Sequence, residues 1–262
     1  MNASSVVPGL PQGHEHRSPV LGLSVLGRVE LRVDGLPLRL GRAKSEELLV
    51  YLAMHQDEGG VDTDQLWEAL WPGQVPNSAV LHTTVSVARR SVGGDAGRQP
   101  LLSDARGRRV YELTGRLRLD WDEFEQLAAH GHACPTVAVP GLERALALVR
   151  GIPFTSAATG AYDWARGHRA DMVQAIGAAA ERLGNVLLEQ GDVRGARRAA
   201  RHGLCAAPYD ERLYRVLLRA ADHAAGVETV MLELTDALGV DLDGTESCTR
   251  DLYRDLRRSS SG

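Results

Sequence analysis

The sequence predicts a mainly α protein in two parts, an N-terminal winged helix followed by an all-α, tetratricopeptide-like helical repeat. Three observations carry this. Apolar residues alternate over Val20–Leu40, as in strands. Three helical patterns and a second extended stretch follow. From Trp121 onward every segment repeats at helical spacing. With 262 residues and 44% hydrophobic content, the chain is long enough for two cored domains.

Residues 1–19 are rich in Pro, Gly, Ser and His without a period, and read as a flexible tail. Next, Leu23, Val25, Val29, Leu31 and Val33 alternate, and Asp34-Gly35 gives a turn before Leu36, Leu38 and Leu40. In 44–56, Leu48, Leu49, Leu52 and Ala53 share one helical face. A second helix over 62–71 carries Leu66, Trp67 and Leu70 and stops at Pro72-Gly73. Pro76-Asn77-Ser78 starts a third, to about Val92, with Leu81, Val85, Ala88 and Val92 on one stripe. Extended pieces at 101–103 and 110–119, joined by a turn at Asp104–Gly107, predict a hairpin. The winged helix is thus expected over 20–119, and the helical domain over 120–258, with 259–262 as a tail.

Helical segments are expected at 121–130, 140–149, 162–190, 193–206, 210–223, 226–238 and 248–258. Leu183-Gly184, Leu187, Ala196, Ala200, Gly203 and Pro208 fit the 34-residue tetratricopeptide spacing, although Ala200 stands where Phe is usual. The small residues suit two helices that must approach closely. In RGARRAARHG (194–203) the alanines form the inward stripe, which leaves the arginines on a solvated face.

Composition narrows the function. The net charge is −4, so a nucleic-acid surface must be local. From Asn77 to Leu119 there are eight basic and three acidic residues, a local +5. If the apolar stripe of the third helix faces inward, Ala79, Thr83, Ser86, Val87 and Arg90 face outward, with Arg89 at the flank. Thr, Ser and Arg are residues that bond phosphates or base edges. Arg106, Arg108 and Arg109 on the hairpin are candidates to hold phosphates.

Other chemistry finds little support. Cys134, Cys205 and Cys248 are few and far apart, so no disulfide framework is expected. His130, His132 and Cys134, like His14 and His16, lack a second ligand group at zinc spacing, and neither metal nor cofactor is expected. There is no phosphate-cradling glycine loop and no G-x-S-x-G turn, so no enzyme activity is expected. No apolar run reaches membrane-span length, and no secretory leader is expected, since the N-terminus lacks a charged start followed by an apolar stretch. These features predict a cytoplasmic protein.

The segments LGRVELRVDG, LPLRLGR, DQLWEALWP, VSVARR and GRLRL resemble an OmpR-type winged helix. WDEFEQLA, ALALVRGIPF and APYDERLYRVLLRA resemble a bacterial transcriptional activator domain. The ordered set, over about 21–258, resembles the antibiotic-regulator family of actinobacteria, a pairing also found at the C-terminus of some LysM-containing proteins. The resemblance implies a transcriptional regulator whose third helix enters the major groove of double-stranded DNA. It also implies a polymerase-contact loop at Trp71–Ser78, with Gln74 and Val75 as candidates, and a helical half that contacts a partner, RNA polymerase or a second copy. No receiver domain, and so no control by aspartyl phosphorylation, is expected on this chain. In one respect the chain departs from the pattern: Val87-Ala88-Arg89-Arg90 carries Val where relatives commonly have a basic residue. That departure keeps open an interaction adaptor whose winged helix no longer binds DNA. A third reading is a ligand sensor with a pocket among the repeat helices.

Overall fold

The computed structural model describes residues 20–92, 102–104, 110–114, 116–130, 135–156 and 160–259. The chain opens with β1 (Val20–Ser24), β2 (Glu30–Val33) and β3 (Leu36–Pro37), an antiparallel meander. Asp34 and Gly35 both take positive φ, 51° and 83°, the conformation a tight two-residue hairpin needs. The alternation is used as expected: Leu21, Leu23 and Leu31 point into the core. Then follow α1 (Ala43–Met54), β4 (Val61–Asp62), α2 (Thr63–Leu70) and α3 (Ser78–Val92). Asp62 caps α2 by accepting from Asp64 and Gln65 N–H, while the Gln65 side chain accepts from Asp62 N–H.

The extended stretch expected at 110–119 is divided between two sheets. β5 (Leu102–Asp104) and β6 (Val110–Leu113) form the hairpin, and β6 also pairs with β4. β7 (Arg116–Leu119) instead joins the first sheet, in the order β3-β2-β1-β7, and runs parallel to β1. Among the described strands the β1–β7 pairing is parallel and the others are antiparallel.

The helical half comprises α4 (Asp120–His130), α5 (Pro135–Ala147), α6 (Arg166–Glu189), α7 (Val193–Leu204), α8 (Glu211–Arg219), α9 (Ala224–Leu238) and α10 (Ser247–Ser259). Several bounds differ from the expected ones, the larger differences being these. α5 runs through Pro140 rather than starting there. α6 begins at Arg166, after Tyr162 takes a left-handed φ of 61° and a 3-10 turn follows. α8 ends at Arg219 because His223 caps α9, its Nδ1 accepting from Gly226 N–H at 3.0 Å.

α6 and α7 form the repeat hairpin, with α8 seated on both. Ala196 and Ala200 are fully buried, and a Cβ on Gly203 would lie 2.6 Å from Ala180 Cβ and 2.8 Å from Leu213 Cδ1. The small residues therefore mark real helix contacts. Gly203→Val should cost about 1–3 kcal/mol by overpacking, read as a lower denaturation midpoint.

The two halves interlock. In the loop after β1, Leu26 C=O accepts from Arg150 N–H at 2.7 Å and Val25 C=O from Phe154 N–H at 2.9 Å. Gly27 C=O accepts from Thr155 N–H at 3.0 Å, and Thr155 C=O from Val29 N–H at 3.2 Å. Gly27 has φ 144°, and a Cβ there would lie 2.9 Å from Arg150 Cβ, so only glycine fits this approach. Asp120 reinforces the seam by accepting from Val25 N–H at 2.8 Å and Leu26 N–H at 3.2 Å, with Arg150 beside it at 3.5 Å. Burial pushes the Asp120 carboxyl up, while the two amides and Arg150 pull it down less strongly.

On the other side of the seam lies Glu47 of α1, whose side chain is 4% exposed. It holds Lys44 at 2.6 Å and accepts from Tyr162 N–H at 3.3 Å. The Tyr162 hydroxyl donates to Glu46 at 3.0 Å, and burial with these carboxylates nearby raises it far above an ordinary phenol. Tyr51, His55, Phe154, Trp164 and His168 pack their rings around the same junction. Buried residues from both halves form one continuous apolar cluster.

Candidate nucleic-acid interface

α3 is positioned from both ends and from below. At its start, Asn77 Oδ1 accepts from Ala79 N–H at 3.0 Å and Val80 N–H at 3.3 Å, a side-chain cap. Along its underside Leu81, Val85, Ala88 and Val92 are buried, as their spacing predicts. Thr84 joins that face: its hydroxyl donates to Val80 C=O at 2.9 Å, and its own carbonyl accepts from the buried Ser45 hydroxyl of α1 at 3.1 Å. Polar residue types hid Thr84 and Ser45 from a hydrophobic-pattern reading, since each satisfies its hydroxyl within the protein.

The outward residues are Ser78, Ala79, Val80, His82, Thr83, Ser86 and Arg90, all exposed. No carboxylate occurs in α3. Of the candidate contacts, Thr83, Ser86 and Arg90 lie together on this face, and Val87 beside them is half-buried. Arg90 Nε donates to Ser86 C=O at 3.2 Å, which lays the exposed guanidinium along the helix end. Arg89 is placed differently. It is half-buried, and its Nε donates to Leu102 C=O at 3.1 Å, tying α3 to β5. Its position opposite the first strand of the hairpin explains this, and makes it a brace for the surface more than part of it.

Arg106, Arg108 and Arg109 lie outside the described residues, as do His14, His16, His132 and Cys134. β5 and β6, which lead into and out of that arginine run, lie on the side of α3 braced by Arg89. Ser103 Oγ donates to Glu112 across the hairpin at 3.1 Å. Among the described residues no three His, Cys, Asp or Glu side chains converge as a metal site requires. Among the same residues no helix is long and apolar enough to cross a membrane.

The loop between α2 and α3 is folded on itself. Trp67 and Trp71 stack at 4.7 Å, and Trp67 Nε1 donates to Gln74 C=O at 2.9 Å. This leaves Val75, at the loop's far side, 86% exposed. Gln74 and Val75 are thus presented at the surface, about one helical turn before α3.

Comparison with known proteins adds the following. No curated protein matches the chain at a significant level. Among solved structures, Mycobacterium tuberculosis EmbR in complex with a low affinity phosphopeptide superimposes with a TM-score of 0.69 at 23% identity. The match covers 92% of this chain and 66% of EmbR, and it shows a shared fold. The bacterial transcriptional activator domain profile matches residues 119–256, from the last residue of β7 into α10. Matched over more than half its length, the chain belongs to the bacterial transcriptional activator domain family.

Proposed function

We propose that this transcriptional regulator binds double-stranded DNA, with α3 in the major groove and the arginines of the hairpin on phosphates. The observation that carries the reading is the carboxylate-free, exposed face of α3 beside a hairpin whose sequence is rich in arginine. In a chain of net charge −4, residues 77–119 carry a local excess of positive charge, eight basic against three acidic residues. The exposure of Gln74 and Val75 supports a contact between this loop and RNA polymerase. The helical half is left to hold a partner protein or a second copy. Function needs neither a cofactor nor catalysis, and its place is the cytoplasm.

A salt titration on sheared genomic DNA tests this without knowledge of the operator, because the phosphate contribution is independent of sequence. Affinity should fall steeply as salt rises. Arg108→Ala with Arg109→Ala should flatten the slope by up to about two phosphates. Arg90→Ala should weaken binding while leaving the unfolding midpoint unchanged, since its side chain is exposed. An unaltered slope in the double variant takes the hairpin out of the interface. Absence of binding at low salt leaves the adaptor.

A further inference from the structure

The outward face of α3 is divided lengthwise. At about 100° per residue, Ala79, Thr83, Ser86 and Arg90 run along its centre. Val80 and Val87 line one flank, and His82 and Arg89 the other. Val80 is 40% exposed despite being aliphatic. Thr83 Oγ1 donates to Ala79 C=O at 2.7 Å, so its proton is committed within the helix. Outward, Thr83 offers a methyl group and oxygen lone pairs. Val80, Thr83 and Val87 therefore form an aliphatic strip roughly 10 Å long, at 1.5 Å of rise per residue.

The major groove exposes one hydrocarbon group, the C5-methyl of thymine. Base pairs follow one another at about 3.4 Å, so the strip spans roughly three steps. The opposite flank and centre supply one exposed guanidinium, Arg90, suited to guanine or phosphate. With no carboxylate on the helix, α3 has no strong acceptor for a cytosine amino group.

We propose that α3 selects its sites by the methyl groups of a short run of thymines packed against Val80, Thr83 and Val87. This rests on the reading that α3 enters the major groove. The selectivity is then hydrophobic and insensitive to salt, while overall affinity remains electrostatic. Val87 then becomes a reading residue.

The test uses the full chain and duplexes recovered from a random-sequence library by repeated binding and amplification. The recovered pool is remade with deoxyuridine for thymidine, which removes each methyl and keeps charge and pairing. Burying one methyl is worth about a fourfold change in affinity. The recovered pool should be rich in A·T pairs and lose about tenfold or more on substitution, with the same salt slope. Val87→Ala and Val80→Ala, folded as judged by circular dichroism, should each shrink the ratio of thymine to uracil affinities.

Equal affinity for the two pools, with salt-dependent binding intact, overturns the methyl reading and leaves groove binding standing. A thymine preference that survives both alanine variants also overturns it, because the methyl contact then lies off α3. No binding of any duplex at low salt removes groove binding, and this inference with it.

Discussion

Asp120→Ala should destabilise the protein by about 3 kcal/mol, measured by denaturant unfolding. The Asp120 side chain is 10% exposed, and its oxygens receive the Val25 and Leu26 amides. Those two N–H groups sit in the turn that also gives its carbonyls to the backbone of Arg150 and Phe154. Truncation leaves two enclosed donors without an acceptor and removes the anion beside Arg150. An unsatisfied buried donor costs roughly 1–3 kcal/mol, and loss of one partner of a buried pair about 3–5. Arg150 softens the second effect, because it is 33% exposed and also lies 3.4 Å from Glu30. Asp120→Asn keeps one acceptor and should cost clearly less. If both substitutions are silent, the seam is not held at this residue.

A second large effect is expected at Lys44, the only lysine in the chain. Lys44→Met should destabilise by about 2–4 kcal/mol, more than Glu47→Gln. The asymmetry follows from burial. Glu47 is 4% exposed and Lys44 39%, so removing the cation strands a buried charge, whereas removing the anion leaves an ammonium that water reaches. Glu47→Gln also keeps an oxygen for Tyr162 N–H. Lys44→Arg, which retains the charge, should recover most of the loss. Unfolding midpoints of the three variants decide it, and the reverse order would show that Lys44 does not neutralise Glu47.

The two sites also show what could be read beforehand. The stripe Leu81, Val85, Ala88 and Val92 was legible because helical burial repeats every three or four residues. The tetratricopeptide hairpin was legible because Gly203 and Ala196 must be small where helices touch. Glu47 was not. In KSEELLVYLAMHQ it reads as a solvated charge next to Leu48, and the Tyr162 amide it accepts from lies 115 residues away. Such pairings leave no local period. The division of 110–119 into β6 and β7 was hidden for the same reason, since β7 pairs with a strand almost one hundred residues upstream. At the candidate interface the outward residues of α3 followed from its stripe. The diversion of Arg89 to Leu102 did not, because it depends on where β5 comes to rest.

The parallel pairing of β1 with β7 bears on how the chain matures during synthesis. β1 emerges from the ribosome well before β7, so its second neighbour in the sheet appears only with Arg116–Leu119. The loop behind it waits longer, until Arg150–Thr155 has been made. Until then one edge of β1 is open, and its apolar residues lack their cover. Contacts so distant in sequence slow closure and prolong exposure to wrong partners. The winged helix is thus translated before the helical half yet cannot finish without the opening of that half. A nascent chain halted before α5 should remain open to proteases, and one halted beyond Thr155 should become resistant.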